Sequence, residues 1–131
     1  MVIIKGTLSG RNRYRTEGNI TFSQQSNGNI LFETSDDFFF GNAQGGGTPA
    51  PGFALCNGNV DAMTKEELER IARQTDFFRI ANSPVSVSGK QMQLLPRGLD
   101  LTAFDALFLW CFEVPFLLGV SLFEPVAPLR S

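Results

Sequence analysis

Ala106-Leu107-Phe108-Leu109-Trp110-Cys111-Phe112, followed after Glu113-Val114-Pro115 by Phe116-Leu117-Leu118-Gly119, is the stretch on which the fold turns. Apart from Cys111, every position from Ala106 to Phe112 is Ala, Leu, Phe or Trp. A strand of that composition must be covered on both faces and belongs in a sheet interior. The run to Phe123 approaches membrane-spanning length, but Glu113, Pro115 and Gly119 interrupt it and no basic residue flanks its start. Two buried strands account for it better than one membrane helix. With no His in the chain, the thiol of Cys111, held beside Trp110, is the best candidate for redox chemistry. The competing reading is a small core residue, since unpaired Cys is among the most buried side-chain types.

Towards the N-terminus the pattern is also β. Asn27-Gly28 between Ile20-Thr21-Phe22-Ser23 and Ile30-Leu31-Phe32-Glu33-Thr34 reads as a hairpin turn. Val2 to Leu8 and Tyr14 to Thr16 read as shorter strands beside it. Arg11, Arg13 and Arg15 alternate onto one face there, a solvated face before an anion-binding patch. Phe53 to Cys56 is a strand ended by Asn57-Gly58-Asn59, and Phe77 to Ile80, Val85 to Ser88 and Gln91 to Leu95 are further strands. Ser88-Gly89-Lys90 is a turn and Arg97-Gly98 a connection. The segment from Gly41 to Gly52 is an irregular loop whose three consecutive glycines lack the Gly-Lys-Ser/Thr ending of a phosphate loop.

One helix interrupts this pattern. Thr64 is a good N-cap with Glu67 three residues on, and Met63 and Leu68 stand where a hydrophobic staple would. Leu68, Ile71, Ala72 and Thr75 form one stripe, while Glu66 with Arg70 and Glu69 with Arg73 support the exposed side and account for its carboxylates without catalysis. The sequence therefore predicts a mostly β protein, an antiparallel β-sandwich or flattened barrel, with one short amphipathic helix near residues 65–75. The 131 residues fit a single domain over 1–131 with one core, rich in the chain's 13 Phe.

Composition narrows the function. A net charge of -2 gives no sequence-independent attraction to nucleic acid or anionic lipid. Hydrolysis by a Ser triad lacks its His base. Asp36 and Asp37 are adjacent, and neighbours in a strand point to opposite faces, so no metal site is expected. Cys56 and Cys111 are too few for a disulfide framework or a metal knuckle, and a bridge between the two stays open. The N-terminal apolar run is too short for a signal peptide and its Lys5 follows the run, so the chain reads as cytoplasmic; one trimmed of its leader would read the same and be exported.

From Asp105 to Cys111, and again at Phe116-Leu117-Leu118-Gly119, the chain resembles the DM-thirteen domain, a proposed electron-transfer domain found beside DOMON domains in Skeletor-type animal surface proteins and in bacteria. Ser35 to Phe40, Ser88-Gly89-Lys90-Gln91, Leu95-Pro96 and Leu99-Asp100-Leu101 resemble further segments of that family in the same order, leaving out Asp61 to Asp76. The resemblance implies a compact β-sandwich-like domain whose Cys, matching Cys111, works in redox reactions as a thiol or as a ligand to a prosthetic group such as haem. Met63 or Met92 is then the candidate second axial ligand, since there is no His. Where relatives carry a Pro-Asp-Pro-like element this chain has Pro49-Ala50-Pro51, and Met92 replaces their aromatic.

Two functional readings follow. The first is a non-catalytic binding or interaction domain in which Phe38, Phe39, Phe40 and Phe53 flank the glycine loop as a surface for a protein partner. Its alternative is a redox domain that uses Cys111 with a redox partner. Glu113 and the aromatics beside Cys111 would raise a thiol pKa, against what reactivity needs.

Overall fold

The computed structural model describes residues 1–42, 50–80 and 86–127. The first half carries β1 (Val2–Thr7), β2 (Ser9–Gly10), β3 (Tyr14–Glu17), β4 (Asn19–Gln24), β5 (Ile30–Thr34), β6 (Phe39–Asn42) and β7 (Pro51–Cys56). Helix α1 (Lys65–Thr75) follows, and then β8 (Asp76–Arg79), β9 (Ser86–Ser88) and β10 (Met92–Leu94). The chain returns through β11 (Ala106–Cys111), β12 (Phe116–Leu122) and β13 (Glu124–Pro125). These strands form three antiparallel sheets, ordered β10-β5-β4-β1-β13, β2-β12-β11-β7-β8 and β3-β6-β9. The fold is a mostly β sandwich with one helix, and no sheet closes into a barrel among the described residues.

Alternation along the strands decides which side chains meet. From the first sheet, Ile3, Ile20, Phe22 and Phe32 turn inward; from the second, Phe53, Leu55, Leu107, Leu109, Cys111 and Leu118 meet them, so the sheets share one core. Phe32 is the hub, with its ring centroid 5.1 Å from both Phe53 and Phe77, 5.2 Å from Phe22 and 6.3 Å from Phe78. The other side chains of β11, namely Ala106, Phe108 and Trp110, point the opposite way and join Ala54, Cys56, Leu68 and Ala72 in a second cluster beneath α1. The unbroken apolar run of β11 is thus explained from both sides: sandwich core on one face, helix on the other.

Local chemistry fixes these elements. Gly28 takes φ +88° in the β4–β5 turn, a conformation that glycine adopts without a Cβ penalty. At the start of α1 the Thr64 hydroxyl accepts from the Glu67 N–H at 3.1 Å, and Leu55 N–H donates to Thr75 Oγ1 at 3.1 Å, tying the last turn to β7. Glu69 pairs with Arg73 at 2.8 Å, whereas the expected Glu66–Arg70 bridge is not among the ion pairs of the described residues.

Some expectations shift. Arg11, Arg13 and Arg15 do not share a strand face, because Asn12 and Arg13 take φ of 56° and 70° in a tight turn between β2 and β3. Arg15 pairs with Glu17 instead. Leu101 belongs to a 3₁₀ turn, Leu101–Ala103, capped by the Asp100 carboxylate, which accepts from Thr102 N–H. Most of the expected glycine loop and Val85 lie outside the described residues.

Candidate functional site

A bulge in β12 positions a cleft beside the start of α1. The register with β11 shifts between Leu109 and Trp110, which pair with Gly119 and Leu117, so Leu118 is left as the extra residue. Its neighbourhood offers backbone carbonyls that the β2–β3 turn takes up. Arg11 N–H donates to Leu118 O at 3.0 Å, Thr16 Oγ1 to Leu118 O at 2.9 Å, and Asn12 Nδ2 to Leu117 O at 3.0 Å. These bonds hold the strained turn against the outer face of the second sheet. From there Arg11 reaches Asp61, in the 3₁₀ turn Val60–Ala62, through two bonds of 2.7 and 2.8 Å.

Turn, 3₁₀ segment, helix start and β11–β12 together enclose a cleft of about 430 Å³. Trp110, Leu117 and Leu68 supply its apolar lining, with Met63 and Phe116 beside them; Arg11, Asp61 and Lys65 also line it. Its volume falls in the range of small-ligand sites, and its mix of apolar wall with few polar groups is typical of them. Trp110 is only 2% exposed, and its indole N–H has no acceptor among the described residues. Among the described residues no fully buried side-chain nitrogen is left unsatisfied, so that N–H keeps some solvent access, and Trp110 is one of the residues lining the cleft. Lys65, the first residue of α1, is in no ion pair among the described residues.

No family model, curated protein or solved structure matches the chain. The candidate site rests on its geometry.

The residues singled out by sequence fall in different places. Cys111 is 3% exposed and faces the sandwich core, while Trp110 faces the cleft. Cys56 is equally sheltered, so the domain hides two thiols and not one. Neither is in a disulfide, and none can join them: Cys56 stands opposite Ala106, five positions along the strand from Cys111 or roughly 17 Å, and on the other face of the sheet. Burial, with the Asp105 carboxylate adding to it, pushes the Cys56 thiol up to about 11. Its Sγ lies 3.7 Å from Met63 Sδ.

A haem held by Cys111 and a Met does not fit this arrangement. Met63 packs on the helix side of the second sheet, across it from Cys111, and Met92 stands exposed at the outer edge of the first sheet. Among the described residues no three His, Cys, Asp or Glu side chains converge as metal ligands. The expected Phe surface is also corrected. Phe38, Phe40 and Phe53 are buried in the core, and half-buried Phe39 lies beneath Arg15, whose guanidinium carbon is 5.0 Å from the ring centroid. Clustered Phe beside a glycine-rich stretch was the signature of a core edge here. No described helix is long and apolar enough to cross a membrane.

The Arg11–Asp61 pair has a defined pH signature. Hydrogen bonding to Arg11, opposed by partial burial and helped by the charge itself, holds the Asp61 carboxyl below its ordinary range. A lowered folded-state pKa stabilises above the unfolded value and is lost as pH falls through the folded one. Both side chains are partly exposed, so Asp61→Asn is expected to cost less than about 1 kcal/mol at neutral pH. In urea denaturation the difference from wild type should shrink steadily below about pH 4. A difference unchanged at low pH would contradict the assignment.

Proposed function

We propose that this chain is a non-catalytic binding domain of the DM-thirteen type that engages its ligand or partner through the Trp110 cleft. One observation carries this reading: consecutive residues of β11 turn Cys111 into the sealed core and Trp110 onto an open, chemically mixed cleft. Electron transfer through Cys111 would need a solvent path to sulfur or a cofactor beside it, and Cys111 is 3% exposed within the hydrophobic core cluster. The cleft asks for no such rearrangement. Asn12, which lines it, sits at positive φ in the turn it shares with Arg13, and such local cost concentrates where binding is built.

The test is a screen of small molecules and peptides read by the NMR amide and indole cross-peaks of the folded protein. Binders are expected to move the signals of Arg11, Val60, Lys65, Leu117 and the Trp110 indole together. Binders whose perturbations fall consistently on another face would overturn the reading.

A further inference from the structure

From the polar groups of the cleft we infer its ligand class: a compact amphipathic carboxylate, its apolar body against Trp110, Leu68 and Leu117 and its anionic end met by Lys65 and the Trp110 indole N–H. This deepens the proposed function and rests on it. Three features of the cleft converge. The indole N–H is a hydrogen-bond donor on a cleft-lining side chain that is 2% exposed, and it has no acceptor among the described residues. A donor in that setting is matched by an acceptor brought in from outside, most strongly by a charged one.

The second feature is charge. Arg11 and Asp61 neutralise each other through two hydrogen bonds, which leaves Lys65 as the uncompensated charge lining the cleft. Lys65 is the first residue of α1, where the helix dipole already contributes positive potential and a cation is locally unfavourable. The acidic residues of that turn do not relieve it inside the cavity: Glu66 lies with Glu69, Arg70 and Arg73 on a separate surface of the helix, and Glu67 is not among the cleft residues. A bound anion would answer both the ammonium and the helix end.

The third feature is size. About 430 Å³ accommodates a ring or short chain with one polar end, and the wall is apolar where that body would lie.

The experiment compares two probes of the same shape, 4-phenylbutyrate and 4-phenylbutan-1-ol, titrated against the folded protein and followed by the cross-peaks of Lys65 and the Trp110 indole. The carboxylate is expected to bind about two- to five-fold more tightly, the size of one exposed ion pair, and the ratio should fall towards one in 1 M salt. In Lys65→Gln, a change at an exposed position that leaves the fold intact, the alcohol should bind as before and the carboxylate should lose its advantage. Equal binding of the two probes in the wild type, or an advantage that survives in Lys65→Gln, would overturn the ligand class while leaving the cleft as a binding site. Perturbations confined to another face would overturn this inference and the proposed function together. Absence of binding by both probes, with other compounds of the screen mapping to the cleft, would overturn the inference alone.

Discussion

Phe32→Ala is expected to destabilise the protein by about 3–5 kcal/mol, the cost of removing a fully buried aromatic and leaving a cavity that its surroundings cannot collapse into. Phe32 is 0% exposed and its ring touches Phe22 on its own sheet and Phe53, Phe77 and Phe78 on the facing one. Four aromatic partners from β4, β7 and β8 converge on it, so truncation loosens both sheets at once. For a domain whose whole stability is of order 10 kcal/mol, that is a large fraction. The midpoint of a chemical denaturation should fall sharply; a loss under about 1 kcal/mol would show that the two sheets do not meet through this residue.

Gly10→Ala is expected to be nearly as damaging, by about 1–3 kcal/mol, for a different reason. A Cβ at Gly10 would overlap the Tyr14 carbonyl oxygen and stand 3.0 Å from Thr16 N, both backbone atoms that cannot rotate away. Relief requires moving the β2–β3 turn off the second sheet, and that turn carries Arg11 and Asn12 to the cleft. The substitution should therefore weaken the Arg11–Asp61 contact as well as stability, visible as shifts of the Asp61 and Val60 amide signals. A variant with wild-type stability and unmoved cleft signals would contradict this role of the turn.

Much of the fold was legible because its signals are local. The bounds of β5 are those read from Ile30 to Thr34, the helix starts at the cap that Thr64 announces, and β11 is interior as its unbroken apolar run requires. What escaped was set by contacts distant in sequence. Arg11 and Asp61 are 50 residues apart, and nothing local pairs them. The Leu118 bulge, which flips the facing of β12 and frees carbonyls for the turn, has no sequence mark beyond the neighbouring Gly119. Phe38, Phe40 and Phe53 illustrate the opposite error, since a cluster of aromatics looks alike whether it is presented or enclosed, and only the packed partner decides. The same holds for Cys111 and Trp110. Adjacent in sequence, they part to opposite faces because a strand alternates.

That parting is tested most directly by thiol reactivity. Native protein treated at neutral pH with a thiol-reactive disulfide, then digested and weighed peptide by peptide, is expected to carry no label at Cys111, and full labelling is expected once the chain is unfolded in denaturant. Stoichiometric labelling of Cys111 in the native state, at a rate close to that of the unfolded chain, would contradict the sealed core and with it the non-catalytic reading.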